Sequence, residues 1–522
     1  MNTRSKHSAF SAVQQGMGAT LGISRTSLWA LLISASTFVM LVVFRTELLS
    51  LPLQTLCITA TGGVFACLIL VANLYPTGVW SAPSVYLIMF ALFHFGLVTV
   101  FGFGVLSEEM RRIVSSWFLS SRTPLAIYLS TLGMVSFAIG AATSALLDHH
   151  QQKRVIVSKA NIEFNRSLSH YFVIIGFLLV VTSIFWWMVI SIMSGGLYIF
   201  VGTYRNYLDA TAGQPLALLN IFVALGLSIV SLSSGERSIA YRRWAYLSFL
   251  LYAALATPLG LRGEILVPIL AAVTIRAHQG TRPSLKSTIL LGTLLLFGIS
   301  FIRSLRQMGL AMIGSGTVSV NAFDALAEMG SSLRPTTDVL EWLWQGDSLL
   351  RGASYWAPFD RALCTIAFDP TCLPAREDFR LLNVLIAERV GPVGFSPVAE
   401  ATFNFGNIGV TMVMFLLGFG LGCLTRADRS TIGTAMVAVV LVPLLYNVRS
   451  AFTSFPIQLF VGFVVVICAV ALSKMFPLRG KYELGSKHAH VQRTSGSIPK
   501  PKSSFESDLL YHVTIRMYKC WR

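Results

Sequence analysis

The chain has 522 residues, of which 54% are hydrophobic and only 12% charged, with a net charge of +17. Soluble proteins usually carry about 25% charged residues, so a free globular enzyme is excluded. Repeated apolar runs of near-spanning length specify an all-α polytopic membrane protein.

Residues 1–26 are polar and basic, with no small-residue cleavage site after a short apolar stretch, so the first helix reads as uncleaved. About twelve transmembrane helices follow, over 28–44, 54–73, 84–104, 125–147, 171–193, 216–233, 244–259, 265–277, 286–302, 404–424, 432–447 and 455–475. The first nine fall within 27–302 and the last three within 400–476. The seventh and eighth are shorter than the ~20 residues of a full crossing. They form either two crossings or a broken pair around Gly260-Leu261-Arg262-Gly263. A basic tail, 477–522, rich in Ser, Gly, Lys and Arg, reads as disordered and cytoplasmic.

With both termini inside, all ten lysines lie on the cytoplasmic side, and that bias orients the chain. The outer segments hold fifteen Arg and sixteen acidic residues. Membrane lipid headgroups account for the basic inner face, and nothing indicates nucleic acid.

Residues 303–399 form one large extracytoplasmic loop, and loops this long are usually functional. Helices are expected over 323–329, over 338–345 after a Thr336 or Thr337 cap, and over 379–390 after an Asp378 cap, each stopped by glycine. Trp342, Trp344 and Trp356 either pack the loop against the membrane surface or offer faces to sugars. Cys364 and Cys372, eight residues apart in this loop, are candidates for a disulfide.

The Ser396-Pro397 step is a helix start. A helix running from Pro397 into the tenth span would place Glu400, Asn404 and Asn407 on one face at i, i+4 and i+7. Polar groups entering the bilayer are costly unless they line a cavity or meet partners. The alternative is a glutamate complementing the helix dipole, with amides bonding neighbouring helices. Arg303 and Arg306 share a face at the outer end of the ninth span. Arg262, with Glu264, opens the short eighth helix, Arg449 follows the eleventh span, and Tyr204-Arg205 follows the fifth. Arginines at span ends suit bidentate contacts to phosphate, although a single outer arginine is more often a rim charge. No metal-ligand cluster and no nucleotide phosphate loop appears, so no cofactor is expected.

At these residues the chain resembles the O-antigen polymerase (Wzy) family. The run Glu400-Ala-Thr-Phe-Asn404-Phe405-Gly406-Asn-Ile-Gly409, the Leu261-Arg262-Gly263-Glu264 opening, the Gly195-Gly196 to Tyr204-Arg205 segment and the large late loop carry the likeness. The resemblance implies a GT-C-like membrane glycosyltransferase acting on polyprenyl-pyrophosphate-linked glycans at the outer face of the inner membrane. A chain-length regulator and a flippase would be its pathway partners. Glu400 would then be the base, with Asp360 or Glu388 as the alternative acids, and Arg303 and Arg306 would stabilise the leaving pyrophosphate. Arg262, Glu264, Arg205, Tyr204, Asn404, Asn407 and Arg449 would bind substrate. The rival readings are an O-antigen ligase, whose loop carries a histidine that this loop lacks, and a secondary transporter or flippase, which would place charges mid-bilayer.

Overall fold

The structure, a computed structural model, describes residues 25–147, 159–200, 202–232, 238–281, 321–367, 372–391, 393–426 and 430–477, with scattered positions between 283 and 298. Every regular element among the described residues is helical. The first part of the chain forms α1 (Arg25–Val43), α2 (Arg45–Ser50), α3 (Leu53–Leu74), α4 (Ala82–Gly102), α5 (Glu108–Phe118) and α6 (Thr123–Leu147). Then come α7 (Lys159–Gly195), α8 (Tyr204–Ala210), α9 (Leu216–Val230), α10 (Ile239–Ala256) and α11 (Arg262–His278). The long connecting segment contains α12 (Ala322–Met329), α13 (Arg334–Trp344), α14 (Ala353–Ala367) and α15 (Leu382–Arg389). Last are α16 (Pro397–Arg426), α17 (Thr431–Asn447) and α18 (Phe455–Met475).

Seven stretches among the described residues are long and apolar enough to cross a membrane: Thr26–Val43, Leu53–Leu74, Ala82–Gly102, Thr123–Leu147, Ser167–Gly195, Pro397–Arg426 and Phe452–Met475. They match seven of the twelve expected spans. The sixth and eleventh appear as the shorter apolar helices Leu216–Val230 and Thr431–Asn447. The seventh and eighth are separate helices, α10 and α11, joined through a turn with Gly260 at φ 74°. Most of the ninth expected span lies outside the described residues.

Contacts between distant segments sort into two ends of the bundle. At one end Gln54 donates to the Gly102 carbonyl, Arg122 pairs with Glu341, and Arg262 pairs with Glu328. At the other, Tyr171 donates to the Phe476 carbonyl and Trp80 to Thr288. The described lysines, Lys159, Lys286 and Lys474, belong to this second end. Here one arginine ties three helices together. Arg426, in the last turn of α16, donates to the Ala145 carbonyl at 2.5 Å and the Leu74 carbonyl at 3.0 Å, with its guanidinium over the Tyr75 ring. Both carbonyls lie where a helix ends and lacks intrahelical donors. Arg426→Ala strands them and is expected to cost about 1–3 kcal/mol, read as a lower unfolding temperature of the detergent-solubilised protein. Arg426→Lys recovers part of the loss.

The 303–399 segment is not confined to the surface. Ala325, Ala327, Met329 and Leu333 share one apolar core with α3, α4 and α6. At this contact backbone meets backbone. A Cβ on Gly330 would lie 1.9 Å from the Leu97 nitrogen, and one on Gly96 would lie 2.3 Å from the Leu326 carbonyl oxygen. Gly96 precedes the end of α4 by six residues, so α12 sits about 9 Å along that helix axis. Small residues at such crossings let helices pack closely without hydrophobic drive from water.

The remainder of the segment forms a smaller core from Val339, Trp342, Leu382, Leu385, Ile386, Phe395, Ala399, Phe403 and Ala451. The three tryptophans therefore part company. Trp342 is buried against Phe403 and Arg389, whereas Trp344 and Trp356 are exposed. Two of the three expected loop helices are offset. The second starts at Arg334, so Thr336 and Thr337 are buried inside it and do not cap it, and the third starts at Leu382. Asp378 accepts from both Nε and Nη2 of Arg380 instead of capping a helix.

Candidate active site

The α16 start follows from its sequence. Ser396 accepts from the Ala399 N–H at 3.0 Å through its hydroxyl, and Pro397 occupies the first turn, where no backbone donor is needed. The helix does not then run straight down. At Gly406 the backbone adopts φ 65°, ψ −151°, a region open essentially to glycine alone. Beyond it the chain folds back on itself. A Cβ on Gly409 would lie 2.5 Å from the Ala401 oxygen, whereas eight residues of continuous helix would separate them by about 12 Å. Val398 and Val410 likewise both meet the Gly133 position on α6. A short arm, 397–405, thus lies beside the start of the long arm, 407–426.

The break also frees carbonyls. In an unbroken helix those of Phe403 and Asn404 would accept from residues 407 and 408. Instead they accept from the N–H groups of Leu350 and Arg351, both at 3.0 Å. The turn that delivers these donors has Arg351 at φ 50° and Gly352 at φ 92°. The Asn404 side-chain oxygen accepts from the Gly352 N–H at 2.9 Å. The loop is therefore bonded, residue by residue, to the broken helix.

That docking brings Ser354 to Glu400. The Ser354 hydroxyl donates to Glu400 Oε1 at 2.6 Å and accepts from Asn404 Nδ2 at 2.8 Å. Glu400 Oε2 accepts from the backbone N–H of Phe452 at 2.7 Å. Glu400, Asn404 and Ser354 are all buried. Beside the carboxylate is a cavity of about 70 Å³ lined by Tyr355, Pro397, Leu444, Asn447, Phe452 and Phe455, among others. Tyr355 packs against Phe405 and Phe452, with ring centroids 6.2 and 5.2 Å away. Burial, and then the nearby Glu400 charge, push the Tyr355 phenol far above its ordinary range, so it stays protonated. A partly enclosed carboxylate held by one hydroxyl and one amide, with room for a small group beside it, is equipped to take a proton from an incoming hydroxyl.

The other sequence candidates are dispersed. Asn407 lies past the Gly406 break, half-buried, so the i, i+4, i+7 face ends at Asn404. The uninterrupted helix behind that expectation does not exist. Arg262 opens α11, nearly buried, and donates through Nη2 to Glu328 Oε1 of α12 at 2.7 Å. Glu264 lies in the first turn of the same helix. Tyr204 and Arg205 begin α8, where Arg205 is exposed and 4.0 Å from Asp209. Arg449 is exposed, its guanidinium over Phe93 and its carbonyl accepting from the Phe395 N–H. Arg303 and Arg306 lie outside the described residues. Cys364 and Cys372 are bonded to each other, with Cα atoms 6.1 Å apart. Among the described residues no cluster of metal-ligating side chains occurs.

Three contributors escaped sequence reasoning: Ser354, Tyr355 and the Phe452 N–H. Pro358 disguised α14 as a loop, because a proline inside a helix usually breaks it. The Arg262–Glu328 pair has its own test. Arg262→Glu is expected to destabilise docking of α12, and the swap Arg262→Glu with Glu328→Arg restores protease resistance of the 303–399 segment if the pair is structural.

These features define a multi-pass helical membrane protein whose long interspan segment folds back to enclose a carboxylate between helices. The chain belongs to the O-antigen polysaccharide polymerase Wzy family, whose profile matches residues 28–367 and 384–479. Among curated proteins, Protein CapE of Staphylococcus aureus is 28% identical over 260 residues, covering 49% of this chain and 56% of CapE. The similarity thus spans little more than half of that relative's length. No solved structure matches the chain.

Proposed function

We propose that the protein polymerises polyprenyl-pyrophosphate-linked oligosaccharide repeat units into an O-antigen-like or capsule-like polysaccharide at the outer face of the cytoplasmic membrane. The family match over most of the chain carries this reading. Glu400 takes the proton of the acceptor sugar's hydroxyl. The acceptor oxygen bonds to the donor's anomeric carbon as the bond from that carbon to the pyrophosphate breaks, and the lipid pyrophosphate leaves with its electrons. For this the acceptor hydroxyl displaces Ser354 from Oε1, while the Phe452 N–H keeps the carboxylate in place.

Arg303 and Arg306 neutralise the departing pyrophosphate, with Arg449 and Arg205 as further exposed cations. Arg262 and Glu264, Tyr204, Asn404 and Asn407 complete the substrate contacts. The Glu400 end faces outward: the described lysines lie at the opposite end, and the Cys364–Cys372 bond suits an oxidising compartment. The architecture is of the GT-C kind, the chemistry needs no metal, and the pathway's flippase and chain-length regulator are its partners.

A strain deleted for the protein should display single repeat units where the parent displays a ladder of polymer. Full polymer left on its lipid carrier would instead identify a ligase, and unchanged polymer would exclude both. Arg303→Ala is expected to reduce polymer by about 10²-fold, the usual effect of losing one preorganised charge. Arg303→Lys should also be impaired, since the planar fork is lost. Equal polymer in the lysine variant would make Arg303 a simple point charge.

A further inference from the structure

The α14 helix carries an apolar stripe that stays exposed among the described residues. Trp356, Phe359, Leu363 and Ile366 are 63%, 43%, 62% and 73% exposed. At about 100° per residue they fall within roughly 80° of arc. The opposite face is the one bonded to the protein. There Ser354 meets Glu400 and Ala357 is buried, while Arg361 donates to the Leu373 carbonyl and pairs with Asp378. At the edge, Asp360 pairs with Arg380, which also holds Asp378 by two 2.9 Å bonds. These bonds keep the Asp378 carboxyl below its usual range, so it remains charged. The Cys364–Cys372 bond clips the far end of the helix. The polar attachments and the stripe are thus fixed on opposite sides.

We infer that α14 lies in the bilayer interface, with this stripe buried among the outer-leaflet lipids. Continuity favours lipid as the occupant. The start of α14 packs on residues 452–454 at the head of α18, whose Ile457 and Phe460 are outward-facing on a membrane-spanning helix. An amphipathic helix with tryptophan and phenylalanine on its apolar face is suited to the headgroup boundary. The same helix holds Ser354 and Tyr355 at Glu400, so lipid contact positions part of the site. The placement in lipid does not depend on the proposed reaction; only the polymer readout in cells rests on it.

The test uses full-length protein in phosphatidylethanolamine–phosphatidylglycerol nanodiscs. The free cysteines are replaced by alanine and the Cys364–Cys372 bond is kept. Nitroxides are placed singly through Trp356→Cys, Phe359→Cys, Leu363→Cys and Ile366→Cys, with Thr365→Cys as the control on another face. Collisions with oxygen should exceed those with a water-soluble nickel chelate at the four stripe positions, and the order should reverse at Thr365. Nickel access at the stripe equal to that at Thr365 would place the helix in water and overturn the inference. Protection from both reagents, relieved in nanodiscs that hold a single copy, would assign the stripe to a second copy and overturn it equally. In cells, Leu363→Glu with Ile366→Glu should lower polymer at least about tenfold at unchanged protein level, while the paired alanine variant keeps most of it.

Discussion

Replacing Glu400 by glutamine is expected to abolish polymer while leaving the protein in the membrane at its normal level. The amide keeps the shape of the side chain, but two donors, the Ser354 hydroxyl and the Phe452 N–H, converge on its two carboxylate oxygens. An amide has one carbonyl, so its NH₂ must face one of them, at about 1–3 kcal/mol if that donor is left unsatisfied. That is too little to prevent insertion. Loss of the proposed base is the larger expected effect, about 10²–10⁴-fold in rate. Ser354→Ala separates the two roles, because it loosens the carboxylate without removing it, and it should cost less than about tenfold. Gel ladders of surface polysaccharide beside quantitative immunoblots read both outcomes. A normal ladder in the glutamine variant would refute Glu400 as the base and leave it as a structural joint.

Gly406→Ala is expected to be nearly as severe, for a backbone reason. A Cβ there meets nothing within 4 Å, so crowding plays no part. The strain comes from φ 65°, ψ −151°, which costs a side-chain-bearing residue about 1–3 kcal/mol. If the helix straightens to escape it, the Phe403 and Asn404 carbonyls return to helical partners and release Leu350 and Arg351. Ser354 then withdraws from Glu400. Polymer should fall about 10- to 100-fold. Gly406→Asn should be no better, since asparagine tolerates positive φ in the left-handed helical region but not at this ψ. Rescue by asparagine would show that the break is an ordinary left-handed turn.

Seven of the twelve expected spans, and two more as shorter apolar helices, were legible because hydropathy and length mark helices in lipid. Ser396-Pro397 announced the start of α16, and Glu400 stood out as a carboxylate entering an apolar run. What surrounds it did not. Ser354 and Phe452 are 46 and 52 residues away in sequence, and no spacing rule links them to Glu400. Gly406 looked like the small residues common in membrane helices, so the fold-back was invisible and Asn407 was counted on the wrong face. The pairing of Arg262 with Glu328 was hidden for the same reason: ion pairs across a bundle leave no local mark.

The bonds between residues 350–354 and the 396–404 arm have one more consequence. They bring the two ends of the intervening stretch, 355–395, to neighbouring points and fasten them there. Such a stretch is a closed loop hung from a fixed bracket. Changes in its length between the helices it carries cost little entropy, because the bracket already holds its ends. Insertions between α14 and α15 should therefore leave the Ser354–Glu400 contact in place, whereas changes to Tyr355 or to the α15 core should not.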